Sequence, residues 1–163
     1  MKNLLVLFCC AILLVMTGCV QKVDIGVEKL DVKVVVDQFA QAIESEDMEL
    51  FANIIAHDAD MVNFGTDAGE RWVGWEPLKE SIAEQFASFE NTKLTVKDQV
   101  IHVNPAGKVA WFSEIADWNM EAQGQPVHLK GCRITGVLEK RNGNWVFVQF
   151  HFSLPVSGQA AQY

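Results

Sequence analysis

The chain has 163 residues, with 13 basic side chains against 21 acidic ones, a formal charge of −8, and half its residues are apolar. An acidic chain repels nucleic-acid phosphates, and no basic patch interrupts the balance, so a nucleic-acid partner is excluded. The apolar fraction is enough for one self-supporting core, and the length is that of one domain.

Residues 1–18 read as an export signal. Lys2 is their only charge, an apolar run extends from Leu4 to Met16, and the small residues Thr17 and Gly18 precede Cys19. The run is shorter than the roughly 20 residues a spanning helix needs. The stretch Met16-Thr17-Gly18-Cys19 resembles the lipobox of bacterial lipoproteins. That resemblance implies cleavage before Cys19 and diacylation of its thiol; an ordinary signal peptide or a short membrane anchor is the alternative. Val20 after the cysteine implies, in a didermal host, the periplasmic side of the outer membrane. Cys9 and Cys10 leave with the signal and Cys19 carries lipid, so Cys132 stands alone and no internal disulfide forms. Residues 19–29 are the lipidated cysteine and a short tether, residues 30–156 the domain, and residues 157–163 a tail.

Helical spacing of Val32, Val35, Val36, Phe39, Ala42 and Ile43 predicts a first helix over about 30–46. Asp47 is placed to cap a second, with Leu50, Phe51, Ile54 and Ile55 inward. A short strand at 58–64 and a polar turn region at 65–74, holding Thr66, Asp67, Gly69 and Glu70, predict a hairpin. Pro77 suits the first turn of a third helix over 76–89, whose apolar stripe is Leu78, Ile82, Phe86 and Phe89. The period then changes to two, predicting strands at 93–104, 107–121, 126–140 and 144–154. Turns at Asn104-Pro105-Ala106-Gly107, Gln123-Gly124-Gln125-Pro126 and Arg141-Asn142-Gly143-Asn144 separate them. Helices first and a long meander afterwards make an α+β chain with the helices on one face of a curved sheet.

The stretches Lys130-Gly131-Cys132-Arg133-Ile134-Thr135-Gly136-Val137-Leu138, Arg141-Asn142-Gly143-Asn144-Trp145 and Gln149-Phe150-His151-Phe152-Ser153-Leu154-Pro155 carry a pattern: Arg-x-Thr, turn-Gly-x-Trp, His-x-Ser-x-Pro. With this order of elements, the chain resembles the nuclear transport factor 2-like superfamily, specifically its SnoaL-like branch. It also resembles the related association domain of calcium/calmodulin-dependent protein kinase II. The resemblance covers about 30–156. It implies a cone: three N-terminal helices packed on a strongly curved antiparallel sheet, a cavity at the wide end, and often a homodimer through the sheet. It leaves function open, because the fold carries enzymes, binding modules and assembly modules alike.

Candidate residues follow from that frame. The kinase-association branch holds arginines where this chain has Ile115, Gln125, Gly136 and Phe152, so an arginine-held carboxylate ligand is not implied. Acid–base isomerisation or dehydration needs a base in an apolar pocket and a donor for the developing oxyanion. The only tyrosine is Tyr163, in the tail. Asp117 is one candidate base, or else a solvated strand-end acid; His57 is another, or else a helix-end histidine meeting the dipole. Arg133 and His151 are a candidate ligand-binding pair, or else a cross-strand pair at a dimer face. A two-residue Asn142-Gly143 loop would set Ile134 opposite His151, and a three-residue loop would set Arg133 there. If Phe150 and Phe152 face the cavity, His151 faces outward. Trp72, Trp75 and Trp111 are candidate pocket walls, or else core filling. His57, His102, His128 and His151 are too dispersed for a metal site, and no motif for a cofactor or a phosphate loop is present. The expectation is a membrane-tethered domain that binds a small apolar or amphipathic molecule. An acid–base enzyme and a structural dimer module of the cell envelope are the alternatives.

Overall fold

The computed structural model describes residues 22–159 and residue 161. The export signal, Cys19 and Tyr163 lie outside the described residues. Among the described residues, no helix is long and apolar enough to cross a membrane.

Helix α1 spans Ile25–Ser45. It starts five residues before the apolar stripe predicts, because Asp24 caps it: the carboxylate accepts from the Gly26 and Val27 N–H groups. One turn on, Glu28 binds Lys140 at 2.7 Å and the Trp145 indole N–H at 3.0 Å, tying the new turn to the far end of the sheet. The buried stripe of α1 is Val32, Val36, Phe39, Ala42 and Ile43. The helix stops at Glu46, whose φ of 56° is left-handed. Asp47 then caps α2 (Met48–Ile54), as its sequence position predicts. Strands β1 (Val62–Phe64) and β2 (Arg71–Val73) form the short hairpin, and α3 runs over Trp75–Ser88. The meander follows as β3 (Phe89–Val103), β4 (Val109–Ala122), β5 (Gln125–Arg141) and β6 (Asn144–Ser153).

The six strands make one sheet in the order β2-β1-β6-β5-β4-β3. The sheet departs from the expected antiparallel arrangement at one place: β1 runs parallel to β6, with Phe64 beside His151. The interior face of β6 carries Phe147, Phe150 and Phe152 onto α1. Phe39 is the hub there, its ring 4.8 to 5.8 Å from those of Phe51, Phe147, Phe150 and Phe152. Each such aromatic, fully buried, contributes about 1.5–3 kcal/mol.

Register shifts interrupt the ladders of β3–β4, β4–β5 and β5–β6, and such bulges bend and twist a sheet. The β5–β6 shift corrects the expected pairing of Arg133 and His151. The turn is indeed a two-residue Asn142-Gly143 loop, with both φ angles positive, and Arg141 opposes Asn144. Val148 then bulges between Phe147 and Gln149. Beyond it Thr135 opposes His151 and Arg133 opposes Ser153. Neither register read from the loop alone is realised, because the extra residue lies within the strand.

Candidate functional site

A cavity of about 220 Å³ lies between the sheet and the helices. Phe39 and Ile43 of α1, Phe51 of α2, Trp72 of β2, and Ile82 and Phe86 of α3 supply walls from the helical side. The sheet supplies Trp118 and Met120 of β4, Val127 and Leu129 of β5, and Phe150 and Phe152 of β6. Strand alternation explains the sheet set. On β4 the inward residues include Phe112, Glu114, Ala116, Trp118 and Met120, and of these Trp118 and Met120 line the cavity.

Polar groups are few. Glu46, Thr66, Asp67, Glu70, Gln85 and Thr92 line the cavity. The Glu70 carboxylate is held in place: it accepts from the Asp67 backbone N–H at 3.0 Å, the Gln85 side-chain amide at 3.3 Å and the Thr66 hydroxyl at 3.4 Å. Gly65 makes room for it, since a Cβ at that position would collide with the Glu70 carboxylate. Thr92, 8% exposed, and Trp118 contribute buried polar atoms, Oγ1 and Nε1, that have no hydrogen-bond partner. A buried donor left unpaired costs about 1–3 kcal/mol.

The residues singled out from sequence divide between three places. Trp72 lines the cavity. Trp75 is buried beside it in the core, stacked on Phe51 at 6.4 Å. His57 is exposed, its ring stacked on the Trp75 indole at 4.1 Å, with Nε2–H donating to the Ala52 carbonyl. His57 therefore caps a helix end and does not reach the cavity. Trp111, Arg133, His151 and Asp117 belong to the outer face of the sheet. Trp111 is 46% exposed and stacks on His102 at 5.5 Å. Arg133 is exposed beside Ile115 and Ser153, and His151 is exposed with its ring edge on Phe64.

Asp117 has a structural task that its strand position alone does not announce. The β4–β5 ladder breaks between Ala116 and Trp118, freeing the Gly131 N–H, which donates a hydrogen bond to the Asp117 carboxylate at 2.8 Å. Its other oxygen meets Lys97 at 3.1 Å. The Gly131 bond, then Lys97, hold its carboxyl below the usual aspartate range. An ionised group satisfied in this way and facing outward is a bulge fastener; it is not placed to reach a ligand in the cavity.

Sequence reasoning missed Glu70, Gln85, Thr92 and Trp118. The signal for Trp118 was present: it shares parity with Phe112 and Ala116, whereas the odd-numbered face of β4 drew attention through Trp111 and Asp117. Glu70 and Gln85 are 15 residues apart and meet only in the folded chain.

The sequence profile of the SnoaL-like domain matches residues 32–157. The chain belongs to the SnoaL-like domain family. No curated protein matches the sequence significantly. Solved structures place this SnoaL-like chain in the nuclear transport factor 2-like fold. A candidate dehydratase of that fold from Streptomyces avermitilis is 17% identical, with 81% of this chain and 99% of that one covered and a TM-score of 0.73. A nuclear transport factor 2-like superfamily protein from Salmonella enterica serovar Typhimurium is 19% identical, covering 85% and 99%, with a TM-score of 0.74. A candidate calcium/calmodulin-dependent protein kinase II association domain from Xanthomonas campestris is 18% identical, covering 78% and 87%, at 0.66. At these identities the likeness establishes the fold and nothing finer.

Proposed function

We propose that this SnoaL-like domain is a membrane-tethered binding protein that takes a small apolar or amphipathic molecule into its cavity. The observation that carries the reading is the unpaired pair of buried polar atoms, Thr92 Oγ1 and Trp118 Nε1, on residues that line an otherwise aromatic cavity. A hydrophobic wall with a few convergent polar groups is the usual make-up of a small-molecule site. Thermal-shift and calorimetric screening against apolar and amphipathic compounds tests it. A ligand whose affinity drops on Trp118→Phe supports the reading, and a screen in which no class of compound binds overturns it.

The tether is Cys19, lipidated after cleavage of residues 1–18 and anchoring the domain on the periplasmic side of the outer membrane where the host has one. Cys19→Ser then moves the chain out of the membrane fraction; unchanged fractionation removes the anchor. The same proposal includes a homodimer through the outer sheet face, where Phe64, Val100 and Trp111 are exposed apolar side chains. Sedimentation of Trp111→Glu against the unsubstituted chain decides it, the expected result being a dimer that the substitution splits.

A second reading, acid–base isomerisation or dehydration, is favoured by one feature: Glu70 is an oriented carboxylate in an apolar cavity, with the Gln85 amide beside it. Asp117 and His57 lie away from that space. Turnover of a carbonyl substrate in this reading disappears in Glu70→Gln and survives Asp117→Asn.

A further inference from the structure

We infer that the molecule taken into the cavity is a cation with an apolar body, an amine or quaternary ammonium compound. The inference rests on the binding reading above and deepens it. Three ionisable residues line the cavity, Glu46, Asp67 and Glu70, and all are acidic. Among the described residues no lysine, arginine or histidine lines it, and none of the ion pairs involves these three carboxylates. The groups that hold Glu70 are a backbone N–H, an amide and a hydroxyl, all neutral, so they orient its charge without cancelling it. The paired acids elsewhere in the chain make the contrast: Glu28 has Lys140, Asp58 has Arg141, and Asp117 has Lys97.

Carboxylates around a low-dielectric space focus a negative potential into it, which draws cations and turns anions away. The walls act in the same sense. Trp72, Phe86, Trp118, Phe150 and Phe152 present π-systems, which attract ammonium groups as well as apolar bodies. The unpaired Thr92 and Trp118 atoms are a separate sign that the space takes an occupant, and the three carboxylates decide the sign of its charge. A fatty acid or another carboxylate carries the wrong charge for these three side chains, while the Trp118 indole N–H, a donor only, calls for an acceptor atom on the body of the occupant.

The test is calorimetric titration of the purified full chain with three probes of similar body and too short to form micelles: benzyltrimethylammonium, phenylacetate and benzyl alcohol. Benzyltrimethylammonium is expected to bind at least about tenfold more tightly than the other two. Glu70→Gln should erase most of that preference. Glu46→Gln, at the end of α1 and away from the 65–70 loop, should lower it in the same direction even if Glu70→Gln disturbs the loop. Glu80→Gln, an exposed acid of α3 outside the cavity, should leave it intact, which separates a local effect from the net charge of the chain. Equal binding of all three probes, or tightest binding of phenylacetate, overturns the cation inference and leaves the binding reading standing. A preference that Glu80→Gln lowers as much as Glu70→Gln also overturns it, because the carboxylates of the cavity are then not its source. Binding of none of the three overturns both.

Discussion

The two faces of strand β4 belong to different chemistries. Inward, Phe112, Ala116, Trp118 and Met120 build core and cavity; outward, Trp111, Ser113 and Asp117 build a polar surface with one large exposed indole. A reader of sequence is drawn to the outward set, because it holds the residues that look chemical. The inward set looks like filling, yet Trp118 and Met120 of it wall the aromatic cavity between sheet and helices. Polar residues on a strand more often serve the ladder or the solvent than a ligand. The polar groups of this cavity come instead from a loop, a helix and the bulged start of β3.

The largest expected break in that division is on the inward side. Phe39→Ala removes the ring that four other aromatics surround and should cost about 3–5 kcal/mol in denaturant unfolding. Next is Glu28, which joins α1 to the β5–β6 end of the sheet through Lys140 and Trp145. Glu28→Ala should cost about 1.5–3 kcal/mol, within the range for hydrogen bonds to charged groups. Its Lys140 bond holds the Glu28 carboxyl below the usual range. This stability is therefore present above the unfolded glutamate pKa and fades as pH falls through the lower folded value.

Glu114 sharpens the comparison from the opposite sign. It faces inward, 5% exposed, with a single 2.9 Å hydrogen bond from Gln99, and burial pushes its carboxyl up. Between the unfolded and the raised folded pKa, the native chain holds the proton more tightly. Stability therefore falls as pH rises through that window. Glu114→Gln should raise the unfolding midpoint at neutral pH and flatten its dependence between mildly acidic and neutral pH; a midpoint that drops at neutral pH would refute the account. The smallest effect is expected outside. Asp117→Asn keeps a carbonyl for the Gly131 N–H and should leave ligand affinity unchanged, shifting only the pH dependence of unfolding at the acid end. A lost ligand on Asp117→Asn would erase the distinction between the faces.

Much was legible in the sequence for a local reason. Helix stripes, the Asp47 cap, the period-two meander and the Asn142-Gly143 turn each depend on residues a few positions apart, and each appears where that local chemistry puts it. The Asp24 cap was equally local and was missed, since the apolar stripe begins later than the helix. The inward direction of Phe150 and Phe152, and with it the outward direction of His151, also follows from alternation.

What the amino-acid sequence determined by itself was thus the order of elements, the family and the parity of most strands. Only the tertiary structure decided which polar residues meet. The Val148 bulge shifted the partners of Arg133 and His151 by an amount no loop length encodes. The parallel contact of β1 with β6 set the hairpin against the last strand, across more than eighty residues of chain. The approach of α3 brought Gln85 to Glu70. Periodicity reports how a segment faces its own neighbours, whereas a cavity is made where segments distant in the chain stop short of one another, and that gap is set by packing.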